Sequence, residues 1–514
     1  MPDATLSPPN PHAAPPRLLP LQAVFLAQLA YFLALAWIRF LDADEGFYVP
    51  AAAYLAQGRR LYTDFFYPQM PLLPCLYGAW MWLLGIDWHV ARAFSALLGA
   101  GIGTLLFRHC EQLFEDRRYA WGALAAYSVC GPCVGWFPIV KTYSIATFFL
   151  MACYCALPRG SDLRRYAWAG FFLGLAVDAR LTFVVAGLGC LAHILTEESA
   201  RRRVPAACAA LTAGTVLGLL VCLPFLLPDP QRFWFNNLGY HAIRSEGGLI
   251  GSFTQKAAVL LHLAGIVSSE GAEAFQLCIL LLFSLGHATA ALTRRTPLAT
   301  AFWFSAALAL MGILPTPAMP QYFCVVFPFL IVTALHFVHS AEELLRPADC
   351  EAARTVFRRL ALGLAIAYVA VSPVDFARYL SWGRDVGGIR DPAQVVDRKF
   401  GTVTRIARRI DEWTRPGEEV LSAWCGLLLT THARQLPGME NPFGLLIADK
   451  LDEKDLDRYR LITRAGIDRC LATHRVRLVI AGKWTQHYDW TEALQKAGYR
   501  LRESYGNFNL WLLP

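Results

Sequence analysis

The stretch LQAVFLAQLAYFLALAWIRFLDADEGFYVP, residues 21–50, joins an apolar run of membrane-spanning length to a cluster of three carboxylates. The run is longer than the apolar core of a signal peptide and no small-residue cleavage site follows it, so it is predicted to be a retained span. Asp42, Asp44 and Glu45 come directly after this span. They form either a hydrated loop at the membrane surface or a catalytic acid/base held at its face.

The composition is that of an integral membrane protein. Hydrophobic residues make up 56% of the chain, charged residues 17%, and the mean hydropathy is +0.38. The net charge of +8 does not indicate nucleic acid as a partner, because lysine and arginine cluster in short loops between apolar runs. Cys130 and Cys133 lie within an apolar run, where packing is a more frequent role than redox or metal chemistry. No phosphate-binding glycine loop is present, which argues against a nucleotide-driven enzyme or pump.

The apolar runs predict an α-helical polytopic membrane protein with about eleven spans and additional interfacial helices on the outer side. With the N-terminus in the cytoplasm, every basic loop lies on the cytoplasmic side. The apolar stretch 67–85 is broken by prolines, so it is interpreted as an interfacial helix rather than a span. Residues 255–268 are a second candidate interfacial helix. The spans are expected near 21–40, 90–108, 119–137, 140–157, 166–196 (two spans), 204–227, 272–292, 298–314, 320–340 and 359–373.

From about residue 375 the pattern changes to alternating strands and helices, which predicts a small soluble α/β domain on the outer face. Its first helix is the amphipathic segment 403–413, and its last segment, 499–514, is expected to be a single strand. The predicted division is a disordered tail 1–20, a transmembrane domain 21–374 with a first outer loop 41–89 and a long outer loop 228–254, and the α/β domain 375–514.

The segment DADEGFYVPAAAYLAQGRRLYTDFFYPQMPLLPCLYGAWMWLLG, residues 42–85, followed by ARAFSALLGAGIG, resembles the start of polytopic glycosyltransferases with the GT-C fold. It is most similar to the bacterial family 39-like set, which includes lipid A aminoarabinose transferases and relatives of protein O-mannosyltransferases. The matching positions are Asp44-Glu45, Tyr48, Ala51-Ala52, Pro71-Leu72 and Leu84-Gly85.

The resemblance implies transfer of a sugar from a polyprenyl-phosphate donor to a glycan, lipid or protein acceptor, with inversion at the anomeric carbon. It implies a bacterial cytoplasmic (inner) membrane protein acting at the outer face, with a cytoplasmic N-terminus and a periplasmic C-terminal domain. The expected partners are the polyprenyl-phosphate sugar, membrane lipids and the acceptor, and no nucleic acid.

Asp44 and Glu45 are the predicted catalytic residues. Asp44 matches the family's acidic base, and a carboxylate within hydrogen-bond reach takes the proton from an acceptor hydroxyl; its alternative role is to cap the helix that follows. Glu45 either orients its neighbours, contacts the acceptor or faces the helix dipole. Asp42 is expected to be solvated. Tyr48, one turn after Asp44, either contacts substrate or packs in the core.

Departure of a phosphate requires cations to offset its charge. The candidate substrate-binding residues at the outer face, besides Tyr48, are Gln69, Arg92, Lys141, Arg180, His241 and Arg244. Each cation has an alternative role, which is to extend from a span end into water, and His241 is expected to form a hydrogen bond within its loop. Two positions depart from the family pattern, because Gln69 replaces a lysine and Lys141 replaces an acidic residue. The aminoarabinose reaction is therefore not assumed.

No cofactor and no metal site are expected. Asp42-Ala43-Asp44 has the Asp-x-Asp spacing that binds a divalent cation in some GT-C enzymes, and two carboxylates suit Mg²⁺ or Mn²⁺. The matched family does not generally need a metal, so neither ion is favoured.

Two other function classes are compatible with a polytopic chain. A transporter or flippase of lipid-linked glycans requires charged residues at mid-membrane and two related halves. Here the charge is concentrated at one face and no duplication is visible, so the enzyme is preferred. A binding module on a membrane anchor needs far fewer spans.

Overall fold

The computed structural model describes residues 21–157, 162–197, 201–244, 248–266, 271–315, 317–382, 397–482 and 489–514. In these ranges the chain is mainly helical, with one small sheet near the C-terminus. The predicted tail 1–20 lies outside the described residues.

The helices of the N-terminal part run from the first apolar stretch to the long outer loop. They are α1 (Leu21–Ile38), α2 (Glu45–Ala56), α3 (Leu72–Leu84), α4 (Trp88–Phe114), α5 (Arg117–Ser128), α6 (Gly131–Trp136), α7 (Thr142–Ala156), α8 (Leu163–Ala179), α9 (Gly187–Thr196), α10 (Val204–Gly218), α11 (Leu223–Leu226), α12 (Pro230–Trp234) and α13 (Tyr240–Arg244).

The remaining helices continue into the C-terminal domain. They are α14 (Gly248–Leu263), α15 (Gly271–Arg294), α16 (Thr300–Ile313), α17 (Phe327–Leu344), α18 (Glu351–Ala370), α19 (Ser372–Ala377), α20 (Phe400–Trp413), α21 (Leu445–Ala448), α22 (Glu453–Arg458), α23 (Arg464–Ala472) and α24 (Thr491–Lys496). The predicted domain boundary at residue 375 falls within α19, and the helical run continues through Arg378–Trp382.

Six described helical stretches are long and apolar enough to cross a membrane, and four shorter apolar helices accompany them. The long stretches are Leu21–Ile38, Trp88–Phe114, Val204–Leu226, Gly271–Arg294, Pro320–Leu344 and Ala348–Leu380, and the shorter ones are Leu72–Leu84, Thr142–Ala156, Leu181–Thr196 and Thr300–Ile313. The chain is thus a helical membrane protein, as its composition predicts. Leu72–Leu84 is the helix formed by the proline-broken stretch. Its interfacial position and the sidedness of the spans stay predictions.

Glycines bring α8 and α10 into backbone contact. A Cβ on Gly170 would lie 1.9 Å from the Leu211 carbonyl oxygen, and one on Gly214 would lie 1.9 Å from that of Ala167. Small residues permit such close packing of helices in membranes. The contact packs the first half of α8, the helix that Arg180 follows directly in sequence.

The C-terminal sheet has five strands: β1 (Glu419–Ser422), β2 (Arg434–Gln435), β3 (Leu478–Gly482), β4 (Arg500–Tyr505) and β5 (Phe508–Leu512). Their order is β2-β1-β3-β5-β4; β1 pairs in parallel with β2 and β3, whereas β5 is antiparallel to β3 and β4. The predicted amphipathic helix is present as α20, with Val403, Ile406 and Ile410 buried.

The prediction of a single strand over residues 499–514 is wrong. The chain turns at Gly506 and Asn507, so that Tyr505 pairs with Phe508 in a hairpin. Gly506 has φ +62°, a conformation that a two-residue hairpin turn favours and that glycine adopts without strain.

The C-terminal domain packs directly on residues 41–89, the predicted first outer loop. Trp424 Nε1 donates a hydrogen bond to the Ala43 carbonyl oxygen at 2.8 Å, and Cys425 Sγ donates to that of Gly46 at 2.6 Å. The Trp424 ring also stacks on Trp88, with 5.8 Å between the ring centroids. The domain therefore forms part of the surroundings of the acidic loop.

Candidate active site

One cavity of about 330 Å³ collects most of the predicted site residues. Its walls come from the acidic loop, the starts of α2 and α7, the end of α8, α13 and the segment before α17. The C-terminal domain also contributes to them. The predicted residues that line it are Asp44, Tyr48, Gln69, Lys141, Arg180, His241 and Arg244. Glu45 and Arg92 do not line it.

Lys141 bridges the two aspartates of the acidic loop. Its Nζ lies 2.8 Å from Asp42 Oδ1 and 3.0 Å from Asp44 Oδ2. The side chains of Lys141 and Asp42 are 3% and 6% exposed, whereas that of Asp44 is 32% exposed. Asp44 is thus the carboxylate that a ligand in the cavity can reach.

The expectation that Asp42 is solvated is wrong. Burial opposes ionisation of this carboxyl, but the positive charges of Lys141, Arg398 and Arg39 outweigh that effect and lower its pKa. Its Oδ1 also accepts a hydrogen bond from the Asp44 backbone N–H at 3.0 Å. Asp42 therefore fixes the position of Lys141 and of the Asp44 backbone.

Glu45 is fully buried and its carboxylate accepts four hydrogen bonds. Arg92 Nε and Nη2 donate at 2.9 and 2.6 Å, and the backbone N–H groups of Asp42 and Val140 donate at 2.8 and 3.0 Å. Of the alternatives predicted for Glu45, these contacts favour the orienting one, and its role in turnover stays a prediction. It holds the acidic loop against the start of the segment that carries Lys141.

Arg92 is not placed to contact a phosphate in the cavity. Besides binding Glu45, it donates hydrogen bonds to the carbonyl oxygens of Ala36, Arg39 and Phe40. Together with the two hydrogen bonds to Glu45, these three contacts use all five N–H donors of the guanidinium group. The interpretation of Arg92 as a substrate-binding residue is therefore corrected: it ties the end of α1 to the acidic loop.

The alternative role of Asp44 as a helix cap is not realised. Asp44 precedes α2, but its side chain makes no capping hydrogen bond and its backbone is already helical, with φ −73° and ψ −25°. Its carboxylate is directed to Lys141 instead. The side chain is therefore available to the cavity rather than used to begin the helix.

Arg180 and Arg244 face aromatic rings. The Arg180 guanidinium lies 4.3 Å from the Tyr322 ring centroid, and that of Arg244 lies 5.2 Å from the centroid of Phe443. Within the described ranges neither forms an ion pair with a carboxylate. Their charge is therefore available to an anion, while the aromatic contacts restrict their orientation.

His241 and Gln69 both line the cavity. His241 Nε2 is 3.2 Å from the Pro68 carbonyl oxygen; this oxygen only accepts, so the hydrogen is on Nε2 and Nδ1 is an acceptor. The expected hydrogen bond is therefore present, but it joins His241 to the first loop rather than to its own loop. Desolvation and the nearby Arg180 and Arg244 lower the pKa of His241 to about 4, so the ring is neutral at neutral pH.

Several residues of this cavity were not predicted from the sequence. They are Tyr143, Tyr240, Gln321, Tyr322, Arg398 and Phe443. Tyr143 is two residues from Lys141, and Tyr322 follows a proline-rich segment at the start of a span, so both had a local signal. Arg398 and Phe443 come from beyond the transmembrane domain, and only the folded chain brings them to the cavity.

The donor set does not fit a divalent cation held by Asp42-x-Asp44. The Lys141 ammonium lies within 3.0 Å of both carboxylates, where a metal bound between them would have to be. Among the described residues no group of three or more histidine, cysteine, aspartate or glutamate side chains is arranged to hold a metal ion.

The chain resembles solved membrane proteins in structure. It superimposes on ArnT from Cupriavidus metallidurans in the apo state with a TM-score of 0.65 at 14% identity, covering 95% of this chain and 97% of ArnT. The chain has the ArnT fold. The form of ArnT bound to undecaprenyl phosphate gives a TM-score of 0.62 at 12% identity with the same coverage. No protein-family model matches the sequence, and no curated protein matches it significantly.

The ArnT likeness extends along nearly the whole chain. This includes the C-terminal domain, where sequence resemblance was weak. ArnT has the GT-C fold, so the fold predicted from residues 42–85 is confirmed.

Proposed function

We propose that the protein is a membrane glycosyltransferase. It moves a sugar from a polyprenyl-phosphate donor to a glycan, lipid or protein acceptor at the outer face of the bacterial cytoplasmic membrane. The observation that carries the proposal is the single cavity in which the partly exposed Asp44 carboxylate shares space with Arg180 and Arg244. The binding of undecaprenyl phosphate by ArnT, which has the same fold, supports a polyprenyl carrier for the donor.

The arrangement supplies the groups that such a transfer needs. The acceptor oxygen attacks the anomeric carbon, its proton passes to Asp44, and the bond from that carbon to the phosphate oxygen breaks. The leaving polyprenyl phosphate gains negative charge, which Arg180 and Arg244 offset. Lys141 holds one oxygen of Asp44 and leaves the other for the acceptor.

The test is release of sugar from a panel of radiolabelled polyprenyl-phosphate sugars by the purified full chain. Asp44→Asn keeps the size of the side chain and removes the base, so turnover should fall by about 10²- to 10⁴-fold. Asp449→Asn changes an exposed carboxylate of the C-terminal domain and is the matched control, with turnover unchanged. The donor that the wild type consumes identifies the sugar.

Two results would reject the assignment. Equal turnover by Asp44→Asn and the wild type would remove Asp44 as the base. No turnover of any donor by wild type, with the acceptor classes each supplied in turn, would remove the glycosyltransferase proposal itself. Binding of the labelled donor, measured in parallel, separates loss of chemistry from loss of donor affinity.

A further inference from the structure

A second cavity, of about 740 Å³, lies on the other side of the first outer loop. One wall is formed by the end of α2 and the segment after it, a second by α3, and a third by α11, α12 and the residues between them. Among the residues that line it are Arg59, Arg60, Tyr62, Ala79, Trp82 and Arg232. We refer to this cavity as the lateral groove.

The lateral groove opens onto an apolar surface. Trp82 lines it and is 74% exposed, and the adjacent Leu83 is 69% exposed. Across the groove, Leu227 is 70% exposed beside Phe225, which also lines it. In a membrane protein, exposed side chains of this type contact lipid, and tryptophan marks the interface between hydrocarbon and head groups.

Basic residues also line the lateral groove. Three arginines and a single acidic residue, Asp229, line it. Arg59 Nη2 donates to Glu440 and to the Asp64 carbonyl oxygen, while its Nε and Nη1 hydrogens have no acceptor within the described residues. The Arg60 side chain is 75% exposed, and its Nη2 lies 3.4 Å from Oδ1 of Asp64, its carboxylate partner. Arg232 Nε lies 3.4 Å from Asp229 Oδ2. Each of the three arginines thus has one carboxylate partner and keeps further guanidinium donors for an anion.

A single loop separates the lateral groove from the catalytic cavity. The Tyr62 hydroxyl donates to the Gln69 carbonyl oxygen at 2.6 Å, and Tyr62 lines the groove while Gln69 lines the cavity. Tyr62 has φ +64° and its ring meets Phe225 and Phe233 edge-on. Both cavities are thus at the same end of the helical domain.

We propose that the lateral groove is a binding site for an anionic phospholipid of that membrane leaflet, separate from the donor site. The phosphate contacts Arg59, Arg60 and Arg232, and an acyl chain lies along Trp82 and Phe225. Arginine binds phosphate with geometrically matched hydrogen bonds, and each basic residue near an anionic surface adds to the attraction. The proposal does not depend on the reaction proposed above.

The test is native mass spectrometry of the purified full chain in detergent with added phosphatidylglycerol or phosphatidylcholine. The wild type should retain more phosphatidylglycerol than phosphatidylcholine. Arg60→Gln/Arg232→Gln should retain at least about fivefold less phosphatidylglycerol than the wild type. Arg346→Gln/Arg405→Gln removes the same charge elsewhere on the surface and should retain the lipid as the wild type does. Ala79→Phe fills the groove at an exposed position and should lower retention without a change of charge.

The proposal would be overturned if the wild type retained phosphatidylglycerol and phosphatidylcholine equally. It would also be overturned if Arg60→Gln/Arg232→Gln and Ala79→Phe both retained phosphatidylglycerol as the wild type does. Inorganic phosphate is added as a competitor in a separate series. If it displaces the lipid at equal concentration, the site recognises phosphate alone and the lipid assignment is rejected. Melting temperatures without lipid establish that each variant is folded, and Ala79→Phe tests the site even where the arginine variant is unstable.

Discussion

The Lys141 ammonium lies between two carboxylates that are two residues apart in sequence, 2.8 Å from Asp42 and 3.0 Å from Asp44. Lysine thus replaces, in a single side chain, both the acidic residue expected at this position and the cation that an Asp-x-Asp motif would otherwise attract. Its own neighbours hold it in place, since the ammonium also lies 4.4 Å from the Trp136 ring centroid.

Chelators are therefore expected to leave turnover by the wild type unchanged. In Lys141→Ala the two carboxylates repel each other without a cation, so turnover should fall and should rise again with added Mg²⁺ or Mn²⁺, which oxygen ligands bind. The measurement is sugar release with and without EDTA and with each ion. Loss of wild-type turnover in EDTA, restored by a divalent ion, would contradict the role given to Lys141.

The Glu45–Arg92 pair is expected to contribute to stability. Both side chains are buried, so Glu45→Gln leaves the Arg92 charge without a counterion, and the free energy of unfolding should fall by about 3–5 kcal/mol. Replacing both, as Glu45→Gln/Arg92→Met, should cost less than the sum of the single changes. Thermal unfolding in detergent measures this. Unchanged melting of Glu45→Gln with abolished turnover would instead make Glu45 a catalytic residue.

The sequence was sufficient for the helical membrane architecture because apolar runs report directly on burial in lipid. It also singled out Asp44, Tyr48 and Lys141, which lie near span ends and motif residues and line one cavity, while their roles stay predictions. It failed for Asp42 and Arg92, because a charge after a span can turn inward to a partner far away in sequence. Sequence spacing contains no information about such partners.

Protonation of His241 should contribute to the dependence of the free energy of unfolding on pH. Its pKa is about 4 in the folded protein, below the ordinary value of 6.5, so the unfolded state binds more protons between these values. This contribution is fully present above pH 6.5 and is lost as the pH falls toward 4. In His241→Gln the melting temperature should therefore change less with pH between about 4 and 6.5 than it does in the wild type. If the melting temperatures of variant and wild type changed equally with pH, the lowered pKa of His241 would be contradicted.

The contact between Gly46 and Trp424 should be sensitive to a single methyl group. A Cβ on Gly46 would lie 1.8 Å from Trp424 Nε1, the atom that donates to the Ala43 carbonyl oxygen. Gly46→Ala must therefore displace the indole, break that hydrogen bond and loosen the C-terminal domain, at a cost of about 1–3 kcal/mol. The readouts are the melting temperature and the rate at which a protease releases the C-terminal domain.

Gly401→Ala is the matched control for that change. Gly401 is also the second residue of a helix, α20, and a Cβ there would meet no atom within 4 Å. This substitution should leave stability unchanged or raise it by about 0.5–1 kcal/mol, because alanine restricts the unfolded chain. If both variants melt and are cleaved as the wild type is, Trp424 does not hold the domain on the acidic loop. If only Gly46→Ala is weakened and its turnover also falls, the C-terminal domain contributes to the geometry of the catalytic cavity through this contact.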